Sequence, residues 1–145
     1  MSVFTIGFTG KTAETFFSTL KESGAKRVVD IRINRTSQLA GFAKEQDLQF
    51  FLPKIVGMDY SIHEELAPTK ELLASYRDKK IQWDEFATKY RALIDQRDVL
   101  KNFTARDFDG AVLLCSENEP EKCHRTLLAN LIMESFPDLK FTNLM

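Results

Sequence analysis

Gly110-Ala-Val-Leu-Leu114 runs into Cys115-Ser-Glu-Asn-Glu-Pro-Glu-Lys-Cys123-His124-Arg125 and then into Thr126-Leu-Leu-Ala-Asn-Leu-Ile-Met133. The first segment is a short continuous apolar run opened by glycine, which predicts a strand covered on both faces. The last segment reads as a helix. Strand, polar turn and helix in this order are the repeating unit of an α/β fold. In open α/β sheets, ligands bind in the crevice at the carboxyl ends of the strands. Both cysteines of the chain, one of its two histidines and an arginine fall in this single turn.

The same alternation extends upstream. Val3-Phe-Thr-Ile-Gly-Phe8 predicts a first strand. Thr12 to Glu22 then places Phe16, Phe17 and Leu20 on one helical side, with Gly24 as the stop. Arg27-Val-Val-Asp-Ile-Arg32 is a second strand, apolar until its polar end. Asn34 to Ala43 is polar and aperiodic, hence a loop. Gln46 to Ile55 predicts a helix burying Leu48, Phe51, Leu52 and Ile55, which Pro53 weakens or ends early. Met58-Asp-Tyr-Ser-Ile62 is a third strand ending at His63, and Thr69 caps a short helix from Lys70 to Tyr76.

Trp83, Phe86, Tyr90, Leu93 and Ile94 recur at helical spacing through Arg97, a stripe that reads as core packing. After the strand Ala111 to Leu114, the last long helix spans about Glu121 to Ser135, with Pro120 suited to its first position. Lys140 to Leu144 closes the chain as a strand. The pattern predicts a single-domain α/β fold over residues 1–145. Its sheet is mostly parallel with helices on both faces, a Rossmann-like three-layer sandwich.

Composition narrows the class of function. The chain has 145 residues, 43% hydrophobic and 28% charged, with a formal net charge of -1. Such a balance exerts no global pull on nucleic acid or an anionic membrane. No basic segment followed by a long apolar stretch opens the chain, and no run approaches the roughly 20 apolar residues that span a bilayer. The expectation is a cytoplasmic protein with no membrane partner and with its cysteines normally reduced.

The strand ends carry the candidate chemistry. Cys123, near a helix start and beside Lys122 and Arg125, sits where free N–H groups and the macrodipole favour a thiolate. Glu117, Glu119 and Glu121 oppose that effect. Cys115 stands at the strand end as a second thiol or as a small apolar plug. His124 is either a proton-transfer group or a histidine hydrogen-bonded within its helix. Arg125 either holds an anion or pairs with a glutamate.

Asp30 and Arg32 share one face of the second strand. With Arg35, Thr36 and Ser37 they offer a cationic, hydroxyl-bearing loop for a phosphate or carboxylate, or an internal ion pair that fixes the loop. His63 and Glu64 add a base, a ligand or a plain surface pair. Gly7-Phe-Thr-Gly10-Lys11-Thr12 has two residues where a Walker A loop has four, which excludes that mode of nucleotide binding. Backbone N–H groups at this helix start retain a weaker role as anion contacts.

Taken in order, Thr5-Ile-Gly-Phe8, Val29-Asp-Ile-Arg32, Arg35-Thr-Ser-Gln-Leu-Ala-Gly-Phe42, His63-Glu-Glu-Leu-Ala-Pro68 and the Cys115–Arg125 block resemble a bacterial and archaeal family, domain of unknown function number 488. The resemblance covers almost the whole chain and implies a small α/β fold. It singles out Asp30, Arg32, Ser37, Gly41, Cys115, Glu117, Pro120, Cys123, His124 and Arg125. Where family members often close with a histidine, this chain has Thr142-Asn143-Leu144.

The preferred reading is an enzyme acting on a small anionic substrate, nucleotide or nucleic-acid-derived. Its catalytic groups are Cys115, Cys123, His124 and Glu117; Asp30, Arg32, Arg35, Ser37, His63 and Arg125 bind the substrate. Arg125 lies ten positions after Cys115 and two after Cys123, which excludes the tyrosine-phosphatase loop with its arginine six positions after the cysteine. One alternative is a metal-binding or thiol-redox module in which Cys115, Cys123 and His124, with or without His63, offer soft ligands for zinc or iron, although the spacing lacks the short Cys-x2-Cys of common structural zinc sites. The other is a nucleic-acid-binding module without catalysis, which the net charge does not favour. Neither a cofactor nor an oligomeric state is legible.

Overall fold

Parallel strands buried on both faces leave little room for polar side chains, and this fold is organised around one of them. The computed structural model describes residues 1–35, 41–116 and 123–144. Five strands, β1 (Ser2–Gly7), β2 (Arg27–Asp30), β3 (Asp59–Ile62), β4 (Ala111–Cys115) and β5 (Lys140–Asn143), form one parallel sheet in the order β3-β2-β4-β1-β5. All five residues of β4 are buried. It pairs with β1 on one edge, Cys115 opposite Gly7, and with β2 on the other, Leu114 opposite Asp30.

Two hydrophobic cores flank the sheet. On one face α1 (Ala13–Ser23) and α2 (Glu45–Phe51) deliver Phe16, Leu20 and Leu48 onto Ile6, Val28, Val112 and Leu114. On the other, α4 (Trp83–Arg97) and α6 (His124–Ser135) deliver Phe86, Tyr90, Ile94, Leu128 and Ile132 onto Val3, Val29, Leu113 and Ile31. The short α3 (Lys70–Arg77) packs on this second core through Leu72, Leu73 and Tyr76, as does α5 (Ala105–Phe108) through Phe108. The result is the expected α/β three-layer arrangement.

Three local details refine the sequence reading. Of the two outcomes expected at Pro53, the helix is weakened rather than stopped, loosening into a π-helical turn over Leu52–Val56 that ends at Gly57. A proline has no N–H to close the regular ladder. The link from α4 to β4 also contains a 3-10 turn at Val99–Asn102 and α5, which is started by a capping box between Thr104 and Asp107. Finally, α6 begins at His124, because Cys123 remains extended as its N-cap (φ -138°, ψ 141°). Glu121, Lys122 and Pro120, placed by the sequence at the helix start, lie outside the described residues. No helix among the described residues is long and apolar enough to cross a membrane.

The stop of α1 tests whether local chain geometry is rate-setting for stability. Gly24 caps the helix in the left-handed region (φ 74°) and donates its N–H to Lys21, with open space where a Cβ would stand. Gly24→Ala should therefore lose about 1–2 kcal/mol from backbone strain alone, read as a lower urea midpoint with an unchanged slope.

Candidate functional site

Strand alternation decides which polar groups meet at the carboxyl edge. In β4, Leu113 belongs to the α4/α6 core and Leu114 to the α1/α2 core, so Cys115 turns toward α6. The extended Cys123 and the first helical residue His124 come to it from the start of α6. The donor atoms of Cys115, Cys123 and His124 all lie within 4.8 Å of one another, and all three residues are buried. The two thiols are not joined by a disulfide.

His124 is held from both sides. Its Nε2 lies 3.0 Å from the carbonyl oxygen of Ile31. A carbonyl only accepts, so Nε2 carries a proton and Nδ1 faces Cys115 Sγ at 3.6 Å. The ring also meets Tyr90 edge-on, 5.6 Å between centroids. Tyr90 is fully buried and donates its hydroxyl to the Leu66 carbonyl at 2.6 Å.

The electrostatics follow from this burial. For His124, desolvation opposes the imidazolium, but the charge of Cys115, the hydrogen bond to it and the Ile31 carbonyl together outweigh that cost. The ring therefore titrates above its ordinary value. Burial pushes the Cys123 thiol well up, and its hydrogen bond to Cys115 and the charge of Cys115 push the same way. The Arg125 backbone N–H and charge oppose this only in part. The thiolate-favouring effect expected of a helix start is thus overridden by desolvation. Burial likewise raises Tyr90, followed by the charges of Cys115 and Cys123.

Asp30 and Arg32 form a separate cluster on the opposite face. Arg32 donates from Nε (2.8 Å) and Nη2 (2.7 Å) to the two Asp30 oxygens, and its backbone N–H reaches Oδ1 at 3.1 Å. The Tyr60 hydroxyl adds a fourth donor to Oδ2 at 2.5 Å. A carboxylate has about four lone-pair sites, so Asp30 is saturated. The Arg32 guanidinium lies 5.3 Å above the Phe8 ring, and Phe8 and Tyr60 both pack with the α1/α2 core. The Cys turn and the Asp30-Ile-Arg32 segment were expected to face one crevice; they stand back to back, because Asp30 and Cys115 alternate to opposite faces.

The other expected anion ligands are also engaged. Arg35 binds Glu64 at 2.6 Å and Glu45 at 3.4 Å, and reaches the Arg32 carbonyl at 3.2 Å. Its charge is therefore neutralised locally. His63 pairs through Nδ1 with Glu65 at 2.7 Å and stacks edge-on against Phe103, outside the Cys–His cluster. In the loop before α1 the Phe8 and Thr9 N–H groups donate to the Ser116 carbonyl, and at the helix start itself the Thr15 N–H donates to the Thr12 hydroxyl. Arg125 is completely buried beside His124. Ser37 and Glu117 lie outside the described residues. Asn143 accepts a short hydrogen bond from the Thr5 hydroxyl. Sequence reasoning missed Tyr60 and Tyr90, since each reads as part of an apolar pattern.

The Asp30 cluster yields a pH test remote from the thiols. Burial raises Tyr60 above its ordinary value, and the charge of Asp30 and the bond to it add to the shift. The folded chain thus keeps a proton that the unfolded chain releases near pH 10, so this stabilisation is present below pH 10 and lost above it. Tyr60→Phe should cost about 2 kcal/mol at neutral pH and flatten the alkaline decline in urea-unfolding free energy.

The family model described as Domain of unknown function DUF488 matches residues 12–132. No curated protein and no solved structure matches the chain.

Proposed function

The chain belongs to the DUF488 family, and since that name carries no reaction, we propose one from the site: a thiol enzyme acting on a small anionic substrate. Cys115 is the nucleophile and His124 its proton partner. The observation that carries this reading is the line from Cys115 Sγ through His124 Nδ1 and Nε2 to the Ile31 carbonyl. A nucleophile within reach of a base, and a base oriented by a third group, is the general signature of covalent catalysis.

In this reaction Sγ forms a bond to the electrophilic carbon or phosphorus of the substrate. The bond to the leaving group breaks, and the leaving group departs with the electron pair and takes the proton on Nδ1. Water then displaces the thiolate, giving its proton back to His124. Cys123 donates a hydrogen bond to the Cys115 sulfur and steadies its charge. The positive end of α6 and Arg125 favour an anion at this edge. Arg32 serves the fold rather than the substrate: removing one partner of such a buried pair costs about 3–5 kcal/mol.

Thiol reactivity tests the pair directly. In Cys123→Ala protein, Cys115 should show ultraviolet thiolate absorbance at pH 7 and be alkylated by iodoacetamide about tenfold faster than an ordinary thiol. His124→Gln should remove both advantages. A Cys115 that ionises like an ordinary thiol, with or without His124, would sink the reading.

One observation favours a second reading. Around a tetrahedral zinc with normal bond lengths, a sulfur–nitrogen edge measures about 3.6 Å, and the Cys115 Sγ to His124 Nδ1 separation is 3.6 Å. Donation of the other ring N–H to a carbonyl is also the usual support of a metal-bound histidine. Cys115, Cys123 and His124 would hold the ion, which supplies a Lewis acid there. On this reading protein purified without chelator carries one equivalent of zinc that Cys115→Ser abolishes; metal-free protein that also fails to bind added cobalt rules it out.

A further inference from the structure

If Arg32 and Arg35 are both committed to carboxylates, an anionic substrate must find its cations elsewhere on the same edge. A groove of about 620 Å³ runs between the segment after β2 and one face of α3. Arg35, Lys70 and Arg77 line it, over an apolar floor of Ile33, Leu73 and Ala74. Asp78 is the acid among its lining residues. Among the described residues, Lys70 and Arg77 have no ion-pair or hydrogen-bond partner. The positive excess of the groove therefore comes from these two side chains.

Their spacing sets the shape of the ligand. Lys70 and Arg77 are seven positions apart on one helical face, about 10 Å along the axis. Between them lie Leu73 and the small, exposed Ala74. A ligand along this face meets a cation at either end and an apolar stretch in the middle. Lysine and arginine on either side of an apolar stretch suit a phosphate ester attached to a weakly polar body. The volume lies within the range of small-molecule sites. Asp78 accepts from a hydroxyl or amino group, which such a body carries.

The groove and the thiol cluster draw on the same core. Ile33 is two residues beyond Ile31, whose carbonyl orients His124. Leu73 packs on the same core as Tyr90, and Tyr90 meets the His124 ring.

We infer that this groove binds a nucleoside monophosphate, its phosphate held by Lys70 or Arg77 and its base lying over Leu73 and Ala74. The inference rests on the thiol-enzyme reading only in making that ligand the substrate; the binding site stands by itself.

The experiment is isothermal titration of the full chain with AMP, adenosine and inorganic phosphate. AMP should bind at least tenfold more tightly than either fragment, and more weakly as salt rises. Lys70→Ala with Arg77→Ala should weaken AMP at least tenfold, and Ala74→Trp, which fills the groove and keeps its charge, should abolish binding. Cys115→Ser should leave binding unchanged. AMP should also shift the backbone amide resonances of Ala74 and Arg77 in the wild-type protein, a readout independent of any variant's folding. Absence of AMP binding, binding indifferent to these substitutions, or binding confined to RNA oligomers would each overturn the proposal. AMP binding with an ordinary Cys115 thiol would leave the groove standing and remove the enzyme reading; a reactive Cys115 without AMP binding would do the reverse.

Discussion

β4 is hydrogen-bonded along both edges and covered on both faces. A strand so placed cannot carry a polar side chain along its length without burying an unsatisfied group. Polarity is therefore pushed to its carboxyl end, where the backbone ladder runs out. There the connections also part: β1 and β2 leave toward α1 and α2, whereas β4 leaves toward α6. This is the reversal that opens a crevice in open α/β sheets. Cys115 sits at it because it is the last residue of that strand.

The two polar clusters at this edge differ in chemical kind. Asp30 accepts from Arg32 three times and from Tyr60 once, which leaves its lone pairs filled. Such a group has no lone pair left to turn toward a ligand. It ties the loop after β2 to the sheet, and Arg35 extends the tie to Glu45 and Glu64. The thiol cluster is the opposite case. Each of its members changes charge by moving a proton, and the Ile31 carbonyl and the Cys115 sulfur together fix the direction of the imidazole.

Much of this was legible in the sequence where the signal is local. The apolar run before Cys115 and the helical run after Arg125 predicted β4 and α6, and with them the meeting of Cys115 and His124. The alternation of Asp30 and Arg32 onto a shared face was equally readable. Which face they share was not, because that depends on strand order. β4 inserts between β1 and β2, a pairing with no trace in the local pattern of any of the three. The expectation of one Arg-rich, Cys-rich crevice failed for that reason. α5 escaped notice because four residues carry no periodicity, although Thr104 and Asp107 do spell a capping signal. Tyr90 was read correctly as core, yet its hydroxyl and ring edge also bound the site, something helical spacing alone does not encode.

Burial at first seems to argue against reactivity, since Cys115, Cys123 and His124 are only 4%, 3% and 6% exposed. Desolvation penalises a lone charge, however, far more than a pair. Moving the thiol proton to Nδ1 creates a thiolate and an imidazolium in contact, with no change in net charge. The dry surroundings strengthen their attraction but also raise the cost of desolvating both ions, so the pair depends on further hydrogen bonds. Cys123 gives the sulfur a hydrogen-bond donor and retains its own proton because burial forbids a second thiolate beside the first. On the proposed reading Cys115 is the nucleophile, and Cys123, kept protonated by burial, is its hydrogen-bond donor. A substrate whose negative charge is met on α3, outside this enclosure, does not disturb that balance. On the proposed reading, anchoring the anion away from the sulfur lets a buried, net-neutral pair serve an anionic substrate.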